Sequence, residues 1–277
     1  MLKKMLFIVV LLMLAIYANA AKIGDWSFDE GEGQWTYNSV PGYTDLRRGS
    51  SDGTWQDPQW STEGYSGNCL HFIGEQGSGD GDTDILRPNS TADLSAFYTQ
   101  TFTVDACINL DSIPLNTFDW YNPYTIISFG GKDALNNNKD VYFLRVTQRS
   151  EGVGMLNGYF YSEDGVGHSF SHSADILAGQ WYNVGFSVDS SSTTDNVSLW
   201  VNGIEETKSS SSVARTDLTI NGESLVLGAM YARSRSLNGR LDEVKFYDSV
   251  EAVPEPATFA LMAGAACFGV LRRKDKK

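Results

Sequence analysis

Apolar positions along this chain recur with a period of two, in short runs separated by turn residues. Val197, Leu199 and Val201 alternate with Ser198 and Trp200, and Asn202-Gly203 follows. Alternation of this kind marks a strand with one face in a core, and Asn-Gly supplies the two positive φ angles of a tight hairpin turn. Trp200 is expected on the face away from that core. Similar short runs predict strands at Ile23–Phe28, Cys69–Ile73, Thr101–Leu110, Tyr124–Phe129, Val141–Gln148, Gly158–Ser162, Trp181–Val188, Asn196–Val201, Ser224–Gly228 and Arg240–Tyr247. Gly130-Gly131, Asn136-Asn137-Asn138, Asn202-Gly203 and Asn221-Gly222 are the expected turns, and Ser209 to Ser212 reads as a loop. Long helical periodicity and internal repeats are both lacking, so the pattern predicts an all-β fold, an antiparallel two-sheet sandwich.

One run breaks the alternation. In Leu241-Asp242-Glu243-Val244 both apolar residues reach one core only if a β-bulge inserts an extra residue.

The two ends read differently from the body. Lys3 and Lys4 precede an apolar run from Met5 to Ile16, and Ala18-Asn19-Ala20 has the small-x-small pattern cut by signal peptidase. Residues 1–20 are therefore expected to be a signal peptide, and 21–250 a single exported domain. In segment 251–277, Val253-Pro254-Glu255-Pro256 is followed by an apolar stretch from Ala257 to Leu271 and then Arg272-Arg273-Lys274-Asp275-Lys276-Lys277. Proline cannot continue a helix, so the prolines form a stiff boundary. The apolar stretch is shorter than the ~20 residues of a comfortable membrane span. A short transmembrane helix with its basic end on the cytoplasmic side is expected.

That order of elements resembles the PEP-CTERM sorting signal of Gram-negative bacteria, with Pro254, Glu255 and Pro256 as its motif. The resemblance implies processing by a membrane peptidase, exosortase. It also implies transient anchoring and delivery of the passenger to the cell surface or extracellular matrix.

Charge adds a constraint on partners. The chain carries −13 overall; setting aside the two signal-segment lysines and a tail with five basic residues and one acid leaves the body at −19. Such a body is repelled by nucleic acid and by anionic lipid. Cys69 and Cys107 lie in the exported body, where a disulfide is permitted if their Cα atoms come within about 7 Å. A CxxC motif is missing, which argues against a zinc or redox site.

A second resemblance covers most of the body. Trp181–Asp189, Val197–Gly203, Leu225–Gly228 and Leu237–Tyr247 look like the second half of a laminin-G-like domain of the concanavalin A-like jelly roll. Trp26–Gly31 and Gly67–Phe72 are similar to its early strands. The resemblance implies a jelly roll whose first and last strands are neighbours, and Trp26 and Trp181 in core positions. The superfamily holds lectins, adhesion modules and glycosidases, so it leaves activity open.

Catalytic patterns are weak. Glycosidases need two carboxylates about 5–9 Å apart, and the chain has no Glu-x-Asp-x-x-Glu run. Glu163-Asp164 and Asp242-Glu243 are adjacent pairs that point opposite ways on a regular strand, and no Gly-x-Ser-x-Gly elbow occurs. His168 and His172, four apart, read as water-contacting loop or strand residues.

Calcium is the better metal expectation, because it takes carboxylates, carbonyls and water. The resemblance would bring Asp29 in the opening segment near Asp242 in the last strand, so one structural calcium ion is expected there. The run Asp80-Gly81-Asp82-Thr83-Asp84 is a second acidic group. Trp55, Trp60, Trp120 and Tyr121 lie in Gly/Asp/Asn/Pro-rich sequence, where exposed rings would suit the apolar faces of sugars. The expected function is a non-catalytic binding or adhesion module for an extracellular carbohydrate or polymer. A matrix component without a discrete ligand and a glycan-active enzyme are the alternatives.

Overall fold

The structure, a computed structural model, describes residues 20–49, 57–74, 84–114, 123–222, 224–230 and 235–250. These residues form two antiparallel sheets. The first, sheet A, runs in the order β14 (Ile204–Lys208), β13 (Val197–Val201), β12 (Trp181–Val188), β7 (Phe102–Leu110), β16 (Gly239–Tyr247), β5 (Cys69–Phe72) and β4 (Gln59–Ser61), with β1 (Lys22–Trp26) also paired to β16. The second, sheet B, runs β11 (Gly167–Ser171), β10 (Val153–Tyr161), β9 (Asn138–Ser150), β8 (Tyr124–Lys132), β15 (Leu225–Leu227), β6 (Leu86–Arg87), β3 (Leu46–Arg48) and β2 (Trp35–Thr36). Among the described residues the only helix is a 3-10 turn at Ser95–Phe97.

The period-two pattern explains the core. Val104, Ala106, Ile108 and Leu110 on β7, Val184 and Phe186 on β12, and Leu144 and Val146 on β9 all enter one buried cluster between the sheets. Aromatic rings fill its centre. Phe102 stacks on Tyr142 at 4.2 Å, Tyr142 on Phe129 at 5.3 Å, and the buried Tyr142 hydroxyl donates to Phe97 O at 3.1 Å. That bond removes the penalty of burying an unpaired hydroxyl.

The irregular run in the last strand is a bulge. Asp242 pairs with Cys107 and Lys245 with Asp105, so Glu243 and Val244 together oppose Ala106. Glu243 takes a positive φ of 49°. The extra residue shifts the phase, and Leu241, Val244 and Phe246 are all buried in the core. β1 pairs with β16, Trp26 opposite Val244, so the first and last strands are neighbours.

Two turn expectations fare differently. Asn202 and Gly203 have φ of 52° and 76° and close the β13–β14 hairpin. Gly130-Gly131 is not a turn: both residues lie inside β8, just after a register shift between Phe129 and Gly130. A Cβ at Gly131 would sit 2.8 Å from Thr219 O, so glycine serves close backbone approach there.

The pattern did not mark β2, β3, β4, β6, β11 or β14. Most are two or three residues long, and β14 (Ile-Glu-Glu-Thr-Lys) is an exposed edge without apolar alternation.

Candidate binding face

The outer face of sheet A carries the residues that alternate away from the core. The register aligns them in rows across the strands. Trp181 on β12 lies opposite Asn109 on β7, Asn109 opposite Arg240 on β16, Arg240 opposite His71 on β5, and His71 opposite Gln59 on β4. This row crosses five neighbouring strands, about 19 Å at ~4.8 Å per strand.

A loop folds over one end of the row. Asp242 Oδ2 accepts the backbone N–H of Ser66 at 3.0 Å, and Asp29 Oδ1 accepts that of Asn68 at 3.1 Å. Asn68 Nδ2 donates in turn to Asp29 O at 3.1 Å. So held, the loop lays Tyr65 edge-on against Trp181, with ring centroids 6.0 Å apart at 66°. Tyr65 is 56% exposed, and Trp181 is half-buried.

Beside the rings is a charged network. Arg240 Nη1 donates to Asp111 Oδ1 at 2.9 Å, Arg240 Nη2 pairs with Glu63, and His71 Nε2 lies 2.6 Å from Asp111 Oδ2. The Asn109 Oδ1 and Arg240 Nε atoms are buried without a hydrogen-bond partner. Exposed aromatic rings beside carboxylates, an amide and a guanidinium offer stacking surface together with hydroxyl donors and acceptors.

Deeper on the same face the groups are sequestered. Asp242 is fully buried, and that burial pushes its carboxyl up to about 6, against the pull of the Ser66 and Glu243 N–H donors. Asp105 accepts from Asn183 Nδ2 at 2.6 Å and is raised by burial to about 6. Trp200 points away from the core as expected, yet it is buried: its ring covers Gly185, where a Cβ would lie 1.9 Å from Trp200 Cζ2.

The outer face of sheet B differs, because it is filled. Phe143 and Tyr159 stack at 4.6 Å and 9°, Met230 packs with them, and the Arg145 guanidinium lies 4.8 Å from the Phe143 ring. Phe143, Tyr159 and Arg145 are all buried, so this layer is a second small core.

The predicted site residues separate into several fates. Asp29 and Asp242 are brought to the same loop, each accepting a different backbone N–H. Among the described residues no group of three or more His, Cys, Asp or Glu side chains is arranged to hold a metal. Asp84, the described member of the second acidic run, accepts the Ile73 N–H at 2.6 Å; Asp80 and Asp82 lie outside the described residues. Trp60 is a structural anchor: its indole N–H donates to Gly33 O at 2.9 Å, and Arg48 covers its ring at 5.4 Å. Trp55, Trp120 and Tyr121 lie outside the described residues, as do residues 1–19 and the tail with Pro254, Glu255 and Pro256.

Three expectations need correction. Cys69 and Cys107 are both free, because β16 runs between the strands that carry them. Trp181 is on the outer face rather than in the core. His172 is buried at 1% exposure; its Nδ1 accepts the Ala174 N–H at 2.9 Å, so Nε2 carries the proton donated to Ile204 O. His168 stacks on Phe160 at 5.0 Å.

The signal for Trp181 was in the sequence. Tyr182, Val184, Phe186 and Val188 set the core parity of β12, and Trp181 shares the opposite parity with Asn183 and Ser187. Tyr65 gave no such signal, since a loop has no periodicity.

Comparison with known proteins agrees with this architecture. Searching the curated proteins yields no match. Among solved structures, the chain is similar to the binding domain of Paraclostridial Mosquitocidal Protein 1 (15% identity, TM-score 0.51, covering 83% of this chain and 49% of that one). It is also similar to the Botulinum Neurotoxin serotype G binding domain (11%, 0.55, 88% and 51%) and to Trypanosoma rangeli sialidase in complex with the inhibitor DANA (12%, 0.53, 87% and 33%). The chain thus spans about half of the two binding-domain chains and a third of the sialidase. At these identities the likeness is one of fold. A model of the PEP-CTERM protein-sorting motif matches residues 252–274, which indicates export and membrane-anchored sorting in Gram-negative bacteria. The family model Laminin_G_3 matches residues 80–254, more than half the chain, and the protein accordingly belongs to the concanavalin A-like lectin/glucanases superfamily.

Proposed function

We propose that this protein is an exported, non-catalytic binding module that holds an extracellular carbohydrate or related polymer on the outer face of sheet A. The observation that carries the reading is the Tyr65–Trp181 pair at the end of the Asn109–Arg240–His71 row. Two rings at the surface supply apolar area for a sugar face, and the flanking Asp111 and Glu63 oxygens can accept its hydroxyls. Two of the fold neighbours are binding domains, which is the role assigned here. The sorting tail supports delivery to the cell surface or matrix after processing by exosortase.

Glycan-array or calorimetric binding by wild type, Tyr65→Ala, Trp181→Ala and Trp60→Ala tests the reading. Each substitution in the pair is expected to weaken binding about fivefold to tenfold, from roughly 1 kcal/mol of lost ring contact. Trp60→Ala, on the face of β4 opposite to the row's Gln59, is expected to retain affinity if folded. Equal affinity in wild type and both pair variants would remove sheet A's outer face from the proposal. Turnover of a polysaccharide would overturn the non-catalytic part.

A further inference from the structure

The two body cysteines stand on either side of the last strand. β16 pairs with β7 on one edge, Asp242 opposite Cys107, and with β5 on the other, Leu241 opposite Leu70. Continuing that antiparallel register puts Cys69 level with Asp242. Cys69, Asp242 and Cys107 thus form one cross-strand row with the carboxylate in the middle. Two strand spacings of ~4.8 Å separate the cysteine Cα atoms by about 9–10 Å, beyond the ~7 Å that a disulfide spans. Both thiols are buried. Burial raises Cys69 to about 11 and Cys107 to about 12, with the Asp242 charge adding to both, so neither forms thiolate at neutral pH.

An unfolded chain lacks that separation. The two cysteines lie 38 positions apart (107 − 69), and the entropic cost of closing a loop grows only logarithmically with its length. A Cys69–Cys107 bond would draw β5 and β7 together as direct neighbours, into the space β16 needs. β16 is also the partner of β1, and its Leu241, Val244 and Phe246 belong to the main core. Losing its slot therefore costs sheet A the strand that joins β1, β5 and β4 to the rest.

We infer that the Cys69–Cys107 pair is a redox gate on closure of the sandwich: the fold completes only when both thiols are unpaired as β16 arrives, and the closed fold then keeps them apart. The blocking reaction is two thiols plus one glutathione disulfide giving one protein disulfide and two glutathione thiols; two electrons and two protons pass from the cysteines to glutathione.

The test uses the full chain carrying Cys267→Ser, so that only these two thiols are in play. It is unfolded in denaturant and refolded in detergent with either reduced or oxidised glutathione. Near-ultraviolet circular dichroism and mass analysis of the thiols are then read. In reduced buffer the native signal is expected to return, with both thiols resistant to a thiol reagent until denaturant is added. In oxidised buffer a species with one internal disulfide and no native signal is expected, recovered by dithiothreitol. Cys69→Ser is expected to refold equally in both buffers. If Cys69→Ser fails to fold, Cys107→Ser or alkylation of the unfolded chain with a small reagent gives the same reading. A disulfide-bonded form with the native signal and thermal midpoint would overturn the inference, as would equal refolding in both buffers without any disulfide.

Discussion

Asp29 and Asp242 hold one loop from opposite ends of the chain: Asp242 receives the Ser66 N–H and Asp29 the Asn68 N–H. Asp242 faces outward by ordinary alternation from Leu241, and the bulge that follows it at Glu243 returns Val244 to the core. Asp242→Ala leaves the part-buried Ser66 and Glu243 N–H groups without this acceptor. A loss of about 1–3 kcal/mol is expected, read as a lower midpoint in urea. Asp29→Ala acts at an exposed end and is expected to cost less than about 1 kcal/mol. Both should weaken ligand binding more than stability alone predicts, since the loop carries Tyr65. Unchanged affinity in both folded variants would separate the loop from the binding face.

The same pair bears on calcium. Because the acceptor oxygens already face backbone donors, a calcium ion is not expected to depend on them. Thermal unfolding is measured with calcium and with a chelator, in wild type and Asp29→Asn. Any calcium-dependent rise in midpoint should persist in Asp29→Asn. A rise that disappears in that variant would return the ion to Asp29 and Asp242.

Packing between Gly185 and Trp200 gives a prediction free of charge effects. Trp200 lies over β12 where a Cβ would be 1.9 Å from its ring. Gly185→Ala is therefore expected to destabilise by about 1–3 kcal/mol. Combining it with Trp200→Leu, which vacates the space, should cost less than the sum of the two single changes. Additive losses in the denaturation midpoints would contradict the contact.

Four carboxyls, three buried and Asp140 partly so, give the molecule an acid-side stability maximum. Burial raises Asp84, Asp105, Asp140 and Asp242 to about 6. In the unfolded chain an aspartate ionises near 3.9. Between about pH 4 and 6 the native state therefore holds protons that the unfolded chain has released, and stability falls as pH rises through that window. Exposed Asp93, Asp164 and Asp217 are shifted the other way by hydrogen bonds, as are the partly buried Asp133 and Glu206, so their contribution is lost only as pH falls below about 4. Urea unfolding should show greater stability near pH 5 than near pH 7.5. Asp105→Asn should flatten the slope. A profile rising steadily from pH 5 to 7.5 would contradict the assignment.

Sequence alone determined the longer strands and their two faces, because period-two alternation is a local property of each run; the short strands and the exposed edge strand β14 carried no such pattern. Val104–Leu110, Tyr182–Val188 and Val197–Val201 needed no partner to reveal which side was core. It also predicted the bulge, since Leu241 and Val244 cannot share a face without one, and through its tail motif it marked the chain for sorting. Neighbour relations were decided only by the tertiary structure. That Asp29 and Asp242 come to one loop, on N–H groups two residues apart, depends on strand order, not spacing. β16 keeps Cys69 from Cys107, the 61–68 loop carries Tyr65 to Trp181, and Gly33 receives the indole N–H that makes Trp60 an anchor. Each of these contacts joins residues distant along the chain, and no local pattern encodes which of many distant segments will arrive beside a given side chain.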